Sequence, residues 1–218
     1  MLHIRQSFLQ TAKRACALLL CTCLLLNLFP LITPSAHAAE EDYYLNRLVS
    51  WDIMRGDQDG NLEPERSITR AEFVTLLNRT FGYTKTGAQP FKDVELKDWY
   101  YDDISAAYTA GYFQGTDKSA ASPEATLTRE EAATMLCRNL MLQPLSGEDL
   151  SFSDSHQASS WSRGYIKAAA EEGILRGDPD GRFRPLDNIT RGEVAIMLVR
   201  VIGPPIQDPG TYSTSVSG

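Results

Sequence analysis

The chain has 218 residues, 43% of them hydrophobic, 22% charged and 9% aromatic, and a formal net charge of −7. Those proportions belong to an ordinary globular protein and exclude a disordered, collagen-like or multi-span membrane chain. An acidic balance also opposes nucleic-acid binding, which needs a basic footprint to neutralise phosphates.

The N-terminus reads differently from the rest. Arg5, Lys13 and Arg14 precede an apolar run from Ala15 to about Phe29, followed by Pro30, Pro34 and the small-residue sequence Ala36-His37-Ala38. This pattern predicts an export signal over residues 1–38, cut after Ala38. An uncleaved anchor is the competing reading. Asn27 and Pro30 interrupt a run that barely reaches the roughly 18 residues needed to span a bilayer, so no membrane span is expected after cleavage. Leu20 and Thr22 precede Cys21 and Cys23, where lipid attachment wants a small residue. Cleavage removes three basic and no acidic side chains, leaving 18 Lys and Arg against 28 Asp and Glu. It also removes Cys16, Cys21 and Cys23, so only Cys137 remains and no internal disulfide is expected.

From residue 39 onward the chain repeats itself. Ile53-Met54-Arg55-Gly56, Tyr112-Phe113-Gln114-Gly115 and Ile174-Leu175-Arg176-Gly177 share one register. Pro64, Pro123 and Pro185 follow at equal spacing, and then Thr69-Arg70-x-Glu72, Thr128-Arg129-x-Glu131 and Thr190-Arg191-x-Glu193. Upstream, Phe91-x-Asp93 and Phe152-x-Asp154 precede Trp99 and Trp161. A period near 60 residues divides the chain into repeat 1 (39–83, shortened at its front), repeat 2 (91–142) and repeat 3 (152–203), with a disordered tail expected over 204–218. Gly82 to Pro90 and Gln143 to Ser151 read as linkers.

Each repeat reads as helix, glycine turn, proline loop, helix, which makes the fold class all-α. Behind each glutamate the second helix carries an apolar stripe: Phe73, Leu76, Leu77, Thr80, Phe81; Ala132, Met135, Leu136, Asn139, Leu140; Val194, Met197, Leu198, Val201, Ile202. Three stripes at helical spacing predict a central three-helix core. The first helices carry narrower faces, Leu45, Leu48, Val49; Ile104, Ala107, Tyr108; and Ile166, Ala169, Ala170, expected to pack outside.

Several residues invite a role beyond packing. Thr and Glu of the Thr-Arg-x-Glu motif form a capping box and need no further function. The arginine sits at the first helical position, where the helix dipole disfavours a cation, and nothing local rewards it. Together with free helix N-terminal amides, Arg70, Arg129 and Arg191 make donor sets suited to a carboxylate or phosphate. Replacing Arg129 or Arg191 is therefore expected to weaken binding with little loss of helicity. Trp99 and Trp161 are either core residues or flat faces for a sugar ring. Asp93 and Asp154 either cap a turn or accept hydrogen bonds from hydroxyls, Asp98 and Ser160 being the better-placed helix caps. Gly56, Gly115 and Gly177 are expected to supply positive-φ turns, with a ligand's close approach as an additional use.

Other motifs fail. Arg55-Gly56-Asp57 and Arg176-Gly177-Asp178 are pieces of the repeat turn. Asp57-x-Asp59-Gly60 and Asp178-x-Asp180-Gly181 hint at a calcium loop, but the bidentate glutamate position holds Arg66 or Asp187. Past the signal, His156 is the one histidine and Cys137 occupies a helix packing slot. No nucleophile–base pair, metal cluster or hydrolytic carboxylate pair recurs, so no catalytic residue, metal or cofactor is expected.

Phe-x-Asp, Trp, Gly-Ile-Leu-x-Gly, Asp-Gly-x-Phe-x-Pro and Ile-Thr-Arg-x-Glu, in that order in repeat 3, resemble the S-layer homology domain. The resemblance covers residues from about 40 to 202. It implies a pseudo-threefold all-α unit of three tandem repeats that binds anionic secondary cell wall polymers, commonly pyruvylated, through grooves between repeats. By that likeness Arg70, Arg129 and Arg191 are carboxylate ligands, with Asp93, Asp154, Trp99, Trp161, Gly56, Gly115 and Gly177 beside them. Repeat 1 departs by lacking Phe-x-Asp and by having Asp52 for a glycine, and repeat 2 by Lys118-Ser119 in place of Asp-Gly. One or two working grooves are expected. The expectation is a noncatalytic, exported, wall-bound protein of the cell surface. The alternative is a protein-docking module using the same grooves.

Overall fold

The computed structural model describes residues 36–147 and 151–203. The expected signal up to residue 35 and the expected tail from residue 204 lie outside the described residues. Contacts divide the chain after His37, and the unit from Ala38 onward carries the repeats. The described α-helices are α1 (Ala36–Ser50), α2 (Arg70–Phe81), α3 (Tyr101–Ala110), α4 (Arg129–Asn139), α5 (Ser160–Glu171) and α6 (Arg191–Ile202). A 3-10 turn, Ser155–Gln157, precedes α5. Among the described residues there is no strand, and no helix is long and apolar enough to cross a membrane. The all-α class holds.

The second helix of each repeat begins where its sequence says it should. Thr69, Thr128 and Thr190 are N-caps whose hydroxyls accept from the amides of Glu72, Glu131 and Glu193, and each glutamate reaches back to its threonine's amide. All three capping boxes are complete. The first helices of repeats 2 and 3 end on Gly111 and Gly173, both at positive φ, and Asp52 adopts the same left-handed backbone where repeat 1 has no glycine.

Packing joins neighbouring repeats more than it joins helices within one repeat. Helix α2 packs on α3, α4 packs on α5, and α2 also meets α6. On the remaining side Glu41 of α1 lies against Gly192 at the start of α6, so close that a Cβ there would meet its carboxylate carbon at 2.9 Å. Buried residues of all three second helices join one hydrophobic cluster. Leu45, Leu48, Ile104, Ala107, Ile166 and Ala169 of the first helices are just as deeply buried, so those helices share the core and are not a peripheral layer. Val49 and Tyr108, expected on that face, are about 40% exposed.

Just ahead of the second helices the backbone closes a ring. The amide of Ile68 donates to the carbonyl of Ile189, Ile189 to Leu127, and Leu127 back to Ile68, at 3.1, 2.9 and 3.1 Å. The helix starts are treated alike: Arg70 N–H bonds Ala125 O, Arg129 N–H bonds Asp187 O, and Arg191 N–H bonds Arg66 O. Amides one residue further on take the carbonyls of Pro123, Pro185 and Pro64. A helix N-terminus normally leaves these donors unsatisfied. Here the neighbouring repeat's proline loop satisfies them, and they are not available to an outside anion.

Candidate functional site

The three arginines each bridge from one repeat to the next, and they have internal partners. Arg70 Nε donates to Ala121 O (2.9 Å), its Nη2 to Gln114 O (3.2 Å), and its Nη1 pairs with Glu131 (3.4 Å). Arg129 Nε donates to Phe183 O at 2.7 Å and its Nη1 pairs with Glu193 at 2.6 Å. Arg191 Nε donates to Leu62 O (2.8 Å) and its Nη2 to Arg55 O (2.9 Å). All three are buried. The premise that nothing local rewards an arginine at the first helical position is therefore overturned: each guanidinium reaches across to loop carbonyls of the adjacent repeat. Charge-assisted hydrogen bonds to buried carbonyls outweigh a dipole penalty of about 0.3–1 kcal/mol.

The aspartates serve the same loops. Asp93 accepts from the amides of Ala121 and Ser122, and Asp154 from those of Phe183 and Arg184. Of the two sequence readings, the structure gives the loop-capping one. Asp98 does not cap α3; its carboxylate accepts from Glu95 N within the preceding turn. Helix α5 begins one residue earlier than expected, with Ser159 as its N-cap, and the buried Glu130 of α4 accepts from the Ser159 amide, the Ser159 hydroxyl and the Ser162 hydroxyl.

The glycine expectation needs a different correction. Gly56, Gly115 and Gly177 are not at positive φ. Each is glycine because a Cβ would collide with the loop it faces. At Gly56 the obstacle is the backbone of Gly60, at Gly115 the Ala120 carbonyl and the Phe91 ring, and at Gly177 the Arg182 carbonyl and the Phe152 ring. Positive-φ glycines do stand one position ahead of the apolar pairs of repeats 2 and 3, at Gly111 and Gly173, and Asp52 takes that place in repeat 1.

Trp99 and Trp161 are 60% and 50% exposed, so neither is a core residue. Trp99 forms part of an open groove with Met54 and Arg55 of repeat 1, Thr75 and Arg79 of α2, and Arg191 from α6. Glu72 also lines it but is held by Arg66, through Nη2 at 2.7 Å and Nη1 at 3.2 Å. Among the described residues no carboxylate lies within ion-pairing distance of Arg191, whereas Arg70 and Arg129 each have one. Burial, followed by the charge of Arg66, holds the Arg191 guanidinium below its ordinary pKa. The groove thus combines a flat aromatic face, Arg79, an Arg55 held at 3.0 Å by Asp52, and a buried guanidinium that feels the charges of Glu72, Glu63 and Asp57 without a described carboxylate in ion-pairing distance.

Arg79 is a groove residue that sequence reasoning passed over. Its signal was available, because Arg79, Arg138 and Arg200 recur nine positions after Arg70, Arg129 and Arg191. Cys137 is buried, donates to Tyr165 O at 3.3 Å, and has its thiol pushed up to about 12 by burial; it is a packing residue. No group of His, Cys, Asp and Glu among the described residues is arranged to hold a metal ion.

Comparison with known proteins agrees with this repeat architecture. The family model described as "S-layer homology domain" matches residues 35–74, 90–133 and 151–195. The chain is 36% identical over 156 residues to an amylopullulanase of Thermoanaerobacterium thermosulfurigenes, covering 69% of this chain and 8% of that protein. It is 32% identical over 158 residues to the surface-layer 125 kDa protein of Lysinibacillus sphaericus, covering 71% and 13%. A cellulosome-anchoring protein of Acetivibrio thermocellus is 27% identical over 157 residues, covering 68% and 35%. The chain thus spans a minor part of each of these relatives. Three matched segments, in register with the three repeats of the structure, place the chain in the S-layer homology domain family.

Proposed function

We propose that this chain is a noncatalytic attachment module of the cell surface, and that the groove lined by Trp99, Arg79 and Arg191 takes a carboxylate-bearing sugar of an anionic, pyruvylated cell wall polymer. Relatives named as a surface-layer protein and a cellulosome-anchoring protein support the attachment role. The observation that carries the ligand assignment is Arg191: a buried guanidinium bonded to two carbonyls, with no described carboxylate to pair with, opening onto a groove that holds two further arginines. A ligand carboxylate would complete the charge there, and the ring beside it would lie on the exposed face of Trp99.

Of the ten residues singled out from sequence, Trp99 and Arg191 stay in this proposal as direct ligand contacts. Arg70, Arg129, Asp93, Asp154 and the three glycines support it by holding the loops in place, and Trp161 is an exposed residue of α5 outside this groove. Co-sedimentation with purified wall sacculi tests the reading, before and after the nonpeptidoglycan polymer is stripped. The protein is expected to pellet with intact walls and to stay in solution with stripped ones. Equal pelleting with both would rule out the polymer, and binding to a surface protein in its absence would favour a docking module.

A further inference from the structure

The capping-box glutamates use their two oxygens differently. Oε2 of Glu72, Glu131 and Glu193 accepts from the amide of its own threonine cap, at 2.9, 2.9 and 3.0 Å. Oε1 of Glu131 then pairs with Nη1 of Arg70, and Oε1 of Glu193 with Nη1 of Arg129, at 3.4 and 2.6 Å. Arg191 keeps the same frame as Arg70, with Nε and Nη2 each on a loop carbonyl, but its Nη1 has no partner among the described residues.

The reason stands in the proline loop of repeat 1. Arg66 Nη2 donates to Oε1 of Glu72 at 2.7 Å and its Nη1 to Oε2 at 3.2 Å, so a two-pronged bond takes the oxygen that Glu131 and Glu193 give to an incoming arginine. Arg66 is itself fixed by Glu63, Nε to Oε2 at 3.0 Å. Its backbone carbonyl takes the Arg191 amide, the place held by Ala125 in repeat 2 and Asp187 in repeat 3, so repeat 1 alone has a cation there. In repeat 3 Arg184 also reaches the glutamate, but only at Oε1, and Arg129 shares that oxygen. Glu72 is nonetheless near Arg191: the two line one groove, and each feels the other's charge.

We infer that Arg66 is a positioning residue for the Trp99 groove: by holding both oxygens of Glu72 it keeps that carboxylate off Arg191 Nη1 and leaves the nitrogen to a ligand. Where that hold is missing or shared, at Arg70 and Arg129, the chain's own carboxylate takes the nitrogen. The inference rests on the carboxylate reading of the Trp99 groove and adds what keeps its arginine open.

The test is calorimetric titration of the full chain at neutral pH with a defined pyruvylated disaccharide, using wild type, Arg66→Ala, Glu72→Gln and the double variant. Unchanged helical circular dichroism confirms folding, and Arg66→Gln stands in should Arg66→Ala unfold. Released from Arg66, Glu72 is expected to compete for Arg191 and lower the affinity of Arg66→Ala about tenfold. A glutamine cannot form that ion pair, so in the Glu72→Gln background loss of Arg66 is expected to change affinity by less than about twofold. Equal affinity of Arg66→Ala and wild type would overturn the inference. So would an equal loss in both backgrounds, since Arg66 would then act by its charge alone. If wild type itself does not bind, the glycan reading fails, and a crystal structure of Arg66→Ala decides the rest. Glu72 within about 4 Å of Arg191 Nη1 supports the hold, and a carboxylate still apart overturns it.

Discussion

Arg129 and Asp154 meet across a single residue. Asp154 accepts the amide of Phe183 at 2.8 Å while Arg129, from the preceding repeat, donates to the carbonyl of that same Phe183 at 2.7 Å. Asp93 and Arg70 do the same to Ala121, at 2.9 Å on each side. Two motif residues thus clamp one loop residue through its amide and its carbonyl, one from within the repeat and one from its neighbour. Repeat 1 has no such aspartate: Arg191 takes the carbonyl of Leu62, while Asp57 accepts from the amides of Asp59 and Asn61 and not from that residue.

Because of that clamp, Arg129→Ala should be costly to the fold and not only to binding. It strips two partners from a buried guanidinium site and leaves Glu193 with Arg184 as its remaining ion-pair partner. A loss of about 3 kcal/mol or more is expected in a chemical denaturation curve. Arg129→Lys should recover little of it, since one ammonium does not span a carbonyl and a carboxylate in the same fork. This replaces the sequence expectation that the substitution would weaken binding with little loss of helicity.

Asn139 offers the opposite sign. Neither its amide nitrogen nor its amide oxygen has a partner, and the residue is buried; repeat 3 has Val201 in the same slot. Asn139→Val is expected to raise stability by about 1 kcal/mol, because a buried unpaired amide carries a desolvation penalty that an apolar side chain does not. An increase in thermal midpoint checks it.

The pH dependence centres on Glu72. Burial pushes its carboxyl up, but the Arg66 hydrogen bond, the Thr69 amide and the Arg66 charge together hold it below its ordinary 4.5. A carboxyl with a lowered pKa in the fold contributes stability at pH above its ordinary value, and that contribution is lost as pH falls through the folded value. Arg66→Ala is therefore expected to be less stable than wild type near pH 7, with the gap closing as pH falls below the ordinary carboxyl value of 4.5. Denaturation midpoints across that range measure it.

What could be read from sequence was whatever is local. Thr69, Thr128 and Thr190 form their capping boxes within four residues, and their helices start where that motif predicts. The partners of the arginines could not be read the same way, since Arg191 bonds Arg55 across 136 positions and Arg70 bonds Ala121 across 51. Gly56, Gly115 and Gly177 were legible as constrained residues, but the constraint is a neighbouring loop and not their own φ. Trp99 and Trp161 were ambiguous because an aromatic at a helix start suits a core and a surface equally, and only the burial pattern separates the two.

The central claim is that the Trp99 groove grips an external carboxylate. Arg79 is the residue to change, because it is exposed, makes one hydrogen bond at 3.2 Å to Ile53 O, and holds no loop clamp. The direct measurement is calorimetric titration of Arg79→Gln and wild type with a defined pyruvylated fragment of the wall polymer. The account predicts an affinity about tenfold lower in the variant at an unchanged thermal midpoint. Equal affinity in the two proteins would contradict it.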